Sequence, residues 1–98
     1  MNITKKTEGT SLSICLEGRL DTTTAPSLEA ELKTSLNNIM ELAMDFNGLE
    51  YLSSAGLRVI LAAQKVMNKQ GRMVIRNVNS TILEVFEVTG FVDILTIE

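Results

Sequence analysis

The hydrophobic period changes along this chain, and that change limits its fold more than any other feature. Between residues 11 and 17, Leu12, Ile14 and Leu16 alternate with Ser11, Ser13, Cys15 and Glu17. A period of two marks a strand buried on one face. A few residues later Ala25, Leu28, Leu32, Leu36 and Ile39 recur three or four apart, which predicts an amphipathic helix over 25–39. A short apolar run follows at 40–46, and its length favours a buried strand over a helix. Next come a helix over 54–69, a strand over 72–78, a short helix carrying Leu83, Phe86 and Glu87, and a last strand over 92–97. Residues 2–7 read as a first strand, joined to the second by a turn at Glu8-Gly9-Thr10. Gly18 is expected to end the second strand, and Asn47-Gly48 to turn the chain after the third. A hairpin followed by alternating helices and strands implies parallel strands with helical crossovers. The expected fold is therefore α/β, a mixed sheet of about five strands with helices packed against it.

Local signals agree with that order. Thr23 or Thr24 caps the first helix, and Pro26 fits a first turn where its missing N–H costs nothing. Glu29 and Lys33 stand four apart with the acid first, a modest stabilising pair. In the second helix Leu57, Ile60, Leu61 and Met67 form one apolar face and Ala55, Val59, Ala62 and Val66 a neighbouring one. So wide an arc means cover over much of the girth, with Arg58, Lys65 and Lys69 on the wet side. Gly71 ends this helix; Ser80 or Thr81 caps the next, and Gly90 stops it.

Composition then removes whole classes of function. Ninety-eight residues suit one domain, 1–98, with 45% apolar and 21% charged residues, the balance of a soluble globular chain. A net charge of −3 argues against binding nucleic acid, which needs clustered Lys and Arg. No stretch is long and apolar enough for a membrane span, and Met1-Asn2-Ile3-Thr4-Lys5-Lys6 lacks a signal core, so the cytosol is expected. There is no histidine for a Ser-His-Asp or Cys-His relay, and a single cysteine excludes an internal disulfide and a Cys-rich zinc site. No catalytic residue, cofactor or metal is expected. Cys15 reads as a buried structural thiol rather than a reactive one.

The most informative stretch joins the third strand to the second long helix: Asp45-Phe46-Asn47-Gly48-Leu49-Glu50-Tyr51-Leu52-Ser53-Ser54-Ala55-Gly56-Leu57. Ser53 is placed as N-cap, its hydroxyl accepting from the free N–H of Ala55 or Gly56. Ser54 becomes the first helical residue with its hydroxyl outward. A phosphate there would meet the positive end of the helix, worth about 0.3–1 kcal/mol. Paired serines before a helix also read simply as caps. Gly56, costing about 1 kcal/mol against alanine, implies a close approach, either by a partner or by the protein's own sheet.

The run from Asp45 to Leu57 resembles the signature of STAS domains, and more closely that of bacterial anti-sigma factor antagonists. Gly18-Arg19-Leu20-Asp21, Gly71 with Met73-Val74-Ile75, and Phe86-Glu87-Val88-Thr89-Gly90-Phe91 agree with it, so the likeness spans nearly the whole chain. The resemblance implies partner switching. The unphosphorylated protein binds an anti-sigma factor that is also an ATP-dependent serine kinase, and the sigma factor is freed. Phosphorylation breaks the complex, and a serine phosphatase resets it. It implies Ser54 as phosphoacceptor and a partner surface of Asp21, Thr22, Thr23, Ser53, Ser54, Ala55, Gly56 and Arg58. Asp21 also reads as a turn residue or helix cap. Many relatives carry aspartate where this chain has Ser53, which leaves two neighbouring hydroxyls as acceptors. Relatives commonly add a final helix beyond the position of Glu98, so one flank of the sheet is expected to be less covered, or covered by a neighbour. The chain is expected to be a monomer or weak dimer. Two other readings stand beside this one: a STAS scaffold or accessory subunit of a transport or stress-signalling complex, and an enzyme using Ser53 or Ser54. The enzyme would lack a histidine, a Gly-x-Ser-x-Gly elbow and a nearby lysine base.

Overall fold

Alternation in the second strand sets the frame. Leu12, Ile14 and Leu16 are buried on one face of β2 (Ser11–Leu20), which pairs antiparallel with β1 (Asn2–Glu8) and parallel with β3 (Glu41–Leu52). The computed structural model describes residues 1–98, and β4 (Arg72–Arg76) completes a sheet of order β1-β2-β3-β4. Helices α1 (Ala25–Ser35) and α2 (Ser54–Gln70) make the two crossovers, and α3 (Ser80–Thr89) follows β4. The apolar strand residues Leu42, Met44, Phe46, Met73 and Ile75 join Leu28, Leu32, Ile60, Met67, Ile82 and Phe86 from the helices in one core. Phe86 brings α3 onto β3, its ring centroid 6.4 Å from that of Phe46.

The other face of the sheet is mostly polar, with Val74 buried among its neighbours. Ser13, Glu17, Glu41, Arg72 and Arg76 are exposed there, and Cys15 is only partly covered. Cys15 is therefore not the fully buried thiol expected from its apolar neighbours, because period two turns it away from the face that Ile14 and Leu16 share.

Strand and helix ends differ from expectation for identifiable reasons. Gly18 does not end β2: at φ +99° it takes a conformation open to glycine in an irregular stretch of the β2–β3 ladder, and the strand continues to Leu20. Asn47-Gly48 is not a turn but part of the same irregular stretch, inside a β3 that runs unbroken to Leu52. Helix α1 stops at Ser35 rather than reaching Ile39, since Asn38 adopts a left-handed conformation at φ 64°. Gln70 Nε2 donates to the carbonyls of Leu36 (2.7 Å) and Ile39 (2.6 Å), and Ile39 stays buried. β4 ends at Arg76, ahead of a left-handed Asn77. The cap of α3 is Asn79, not Ser80 or Thr81: its side chain accepts from the Ile82 N–H at 2.8 Å. The expected last strand is a 3-10 turn (Phe91–Asp93) followed by a single parallel bridge, Ile97 to Ile75. Of about five strands, four are formed and the fifth is reduced to that bridge.

One polar side chain is out of place. Gln64 on α2 is buried, its Nε2 donates to Asn68 Oδ1 at 2.8 Å, and its Oε1 has no partner. An unsatisfied buried acceptor costs roughly 1–3 kcal/mol. Gln64→Met, similar in volume and without the acceptor, is expected to raise unfolding free energy by about 1 kcal/mol in urea melts. An unchanged or lowered midpoint would show that the amide is satisfied by solvent.

Candidate functional site

The ends of β2 and β3 and the starts of α1 and α2 meet at one corner of the molecule. There the Ser53 N–H donates to the Leu20 carbonyl at 2.9 Å, joining the serine step to the end of β2. Ser53 has extended backbone angles and its hydroxyl accepts from the Gly56 N–H at 3.4 Å, the capping arrangement anticipated for it. Ser54 is the first residue of α2 and is exposed. The two serines thus differ: one side chain is engaged in the cap, while the other projects to solvent with no partner inside the chain.

Gly56 decides how close α2 comes to the sheet. A Cβ at this position would lie 2.7 Å from Leu20 Cγ and 2.8 Å from Leu52 Cδ1. Gly56 is itself buried. Of the two approaches left open by the sequence, the protein's own strand ends, Leu20 and Leu52, account for the glycine. Gly56→Ala is expected to destabilise the fold by about 1–3 kcal/mol, as overpacking does, whereas Ser54→Ala at the exposed neighbour should stay within about 0.5 kcal/mol of wild type. Comparing their denaturant midpoints checks both.

Asp21 closes the other side of the corner. Its Oδ1 accepts from the Thr23 hydroxyl (2.7 Å), the Thr23 N–H (3.0 Å) and the Thr24 N–H (3.2 Å), while its own N–H donates to Thr24 Oγ1 at 2.9 Å. The Ala25 N–H reaches the Asp21 carbonyl at 2.8 Å, so Asp21 caps the turn that leads into α1. Thr24, formally the helix cap, makes no such bond with its side chain. The hydroxyl of Thr23 holds the Asp21 carboxyl below its ordinary pKa; partial burial opposes this, and the two N–H groups and Thr24 add to it. A depressed pKa in the folded state gives stability that is present above the unfolded value and lost as pH falls through the folded one. The stability gap between wild type and Asp21→Asn should therefore be full near neutrality and shrink through the acid carboxylate range. Urea melts across a pH series test this, and a gap independent of pH would oppose it.

Between these two sides, Thr22, Pro26, Ala55, Arg58 and Val59 line a depression of about 230 Å³. Thr22, Thr23 and Arg58 are exposed, and Ala55 is half-buried. The corner thus gathers Asp21, Thr22, Thr23, Ser53, Ser54, Ala55 and Arg58. Sequence reasoning missed one neighbour, Arg19, whose guanidinium carbon sits 4.2 Å from the ring centroid of exposed Tyr51 and whose Nε is 3.8 Å from Asp21. That pair depends on the Arg19–Tyr51 register across β2 and β3, which spacing within either strand does not reveal. No group of three or more His, Cys, Asp or Glu side chains comes together to hold a metal. No helix is long and apolar enough to cross a membrane.

The defining pattern of the STAS domain matches residues 2–98. The chain belongs to the STAS family. This STAS domain is 36% identical over 88 residues to BtrV of Bordetella bronchiseptica, which is assigned as an anti-sigma factor antagonist; the match covers 88% of this chain and 76% of that one. It is 26% identical to the anti-sigma-B factor antagonist of Bacillus subtilis, over 99% of this chain and 90% of the relative. Its fold matches that of Bacillus SpoIIAA in the phosphorylated form with a TM-score of 0.78, at 19% identity, over 99% of this chain and 91% of that one. These likenesses put the STAS domain described here among the anti-sigma factor antagonists, which are regulators by name.

Proposed function

We propose that this chain is an anti-sigma factor antagonist switched by phosphorylation at Ser54. Unphosphorylated, it binds an anti-sigma factor that is a serine kinase, and the sigma factor is released. The kinase then transfers the γ-phosphoryl group of ATP to Ser54 Oγ: the new O–P bond forms, ADP departs and the hydroxyl proton is lost. A serine phosphatase restores the hydroxyl. The reading sets these events in the cytoplasm, where ATP and transcription machinery are found.

One observation carries the choice of Ser54: its hydroxyl is exposed at the start of α2, whereas that of Ser53 accepts from the Gly56 N–H. A kinase reaches the first without disturbing the cap. The positive end of α2, with no acidic side chain in its first turn, accommodates the added charge of about −1.5 to −2. The same charge in the middle of a matched interface repels the partner. Releasing a complex that is about 100-fold saturated takes roughly 2.7 kcal/mol, within reach of one misplaced phosphate and requiring no change of fold.

The test uses the kinase paired with this chain. Incubation with that kinase and ATP should add one phosphate by intact mass, and Ser54→Ala should abolish the addition while Ser53→Ala does not. In titration calorimetry Ser54→Ala should hold the kinase tightly even with ATP, and Ser54→Asp should bind at least about tenfold more weakly, a difference of roughly 1.4 kcal/mol. Equal affinities for the two variants, or a phosphate that follows Ser53, would remove Ser54 from this role.

A further inference from the structure

We propose that Arg58 is the intramolecular partner of a phosphate on Ser54, so that modification both adds a negative charge and withdraws a positive one from the partner-facing corner. This rests on the reading of Ser54 as phosphoacceptor.

Ser54 and Arg58 are four residues apart on α2, so they are neighbours on one side of the helix. The group that becomes an acid stands N-terminal to the base, which is the favourable order for such a pair. Both residues are exposed, so the two side chains can meet without displacing any packed group. Arginine suits the task, because its planar fork can hold two phosphate oxygens at once.

Arg58 is also one of four cations without a carboxylate beside them, and of the other three Arg72 lies on β4, next to the start of β3 rather than its serine end. Lys5, Lys6, Arg19, Lys33 and Arg76 each stand beside a carboxylate, whereas Arg58 has none. Helix α2 carries no acidic side chain, and its remaining cations, Lys65 and Lys69, lie further turns away. Across the depression, α1 contributes Glu29, whose carboxylate is 3.5 Å from Lys33. The loop before α1 contributes Thr22, a hydroxyl without charge. Asp21 is taken up by Thr23 and Thr24 and lies 3.8 Å from Arg19. No carboxylate on a packed neighbour therefore occupies the guanidinium before a phosphate arrives.

The consequence is a two-part switch. In the unmodified protein Arg58 is free to meet an acidic group of the partner. Once Ser54 is phosphorylated, Arg58 turns along its own helix and that contact is lost together with the hydroxyl's.

The experiment needs no kinase. Full-length protein with phosphoserine installed at position 54 during translation is titrated by phosphorus NMR, alongside the same protein carrying Arg58→Gln or Arg58→Lys. A free phosphoserine loses its second proton near pH 6. With Arg58 present the midpoint should lie at least about 0.3 unit below that of Arg58→Gln, the size expected of an exposed ion pair, and Arg58→Lys should recover part of the difference. Matching midpoints for wild type and Arg58→Gln overturn the proposal, provided the unmodified proteins melt alike. Because the phosphate is built in, this result does not depend on partner binding: the Arg58 pairing can fail while Ser54 remains the switch, and the pairing can hold while the kinase test fails.

Discussion

The corner that carries the serines depends on one close approach, the backbone of α2 at Gly56 lying on the side chains of Leu20 and Leu52. Leu20 ends β2 and Leu52 ends β3, so the helix mouth is seated on two neighbouring parallel strands at once. The Ser53 N–H, which as a helix-start donor would otherwise lack an acceptor, is satisfied by the Leu20 carbonyl at the same place. Packing and hydrogen bonding thus fix the same point. A methyl group at position 56 would lift the mouth of the helix and take both hydroxyls with it. Such rigid support holds the hydroxyl of Ser54 at a fixed position on the surface.

The path of β3 explains how the chain arrives at that seat. Twelve residues of β3 run beside ten of β2, and the surplus is absorbed in two places: Cys15–Glu17 faces Asp45–Gly48, and Gly18–Arg19 faces Leu49–Tyr51. Each extra residue shifts the in–out alternation by one position. Leu42, Met44 and Phe46 are buried at intervals of two, then Leu49 and Leu52 at intervals of three. The irregular half is tied down from the next connection, where Asn77 Nδ2 donates to Asp45 Oδ1 at 3.0 Å and Asn79 Nδ2 to the Leu49 carbonyl at 3.0 Å. Asp45 also accepts from the Asn47 N–H at 2.9 Å, which holds the first irregular point in shape. The aspartate that begins the motif is therefore a structural support for the strand, well upstream of the serines it helps to position.

Much of this was legible because burial writes its period into sequence. The alternation at residues 11–17 and the wide apolar arc of α2 were enough to place β2 and α2, and with them the serine step at a helix start. What stayed hidden was whatever depended on a partner strand. Asn47-Gly48 carries the residues of a turn and sits in a bulged strand, where the glycine is needed because a Cβ there would lie 2.6 Å from Glu17 Cγ on β2. Gly56 announced a close approach without saying to what, because its neighbours Leu20 and Leu52 come from elsewhere in the chain. Arg19 and Tyr51 meet only through strand register. The expected last strand kept its inward pattern at Leu95 and Ile97, yet only Ile97 pairs, because the 3-10 turn at Phe91–Asp93 uses up the residues that would have lengthened it.

Two adjacent hydroxyls raise the question of how a modifying enzyme would tell them apart, and the fold supplies an asymmetry before any enzyme is involved. A kinase active site needs the acceptor side chain extended into it and aligned with the γ-phosphate. For Ser53 that means giving up the bond from the Gly56 N–H, in a residue whose own N–H is already anchored to Leu20. Loss of such a cap costs about 0.5–2 kcal/mol, enough to slow its modification by about two- to thirtyfold. Ser54 requires no such concession. Here the cap is itself a hydroxyl, so the distinction falls to local geometry instead of residue type. On the proposed reading of Ser54 as phosphoacceptor, discrimination would come from the same helix entrance that seats α2 on the sheet, because that entrance engages one hydroxyl and leaves the other exposed.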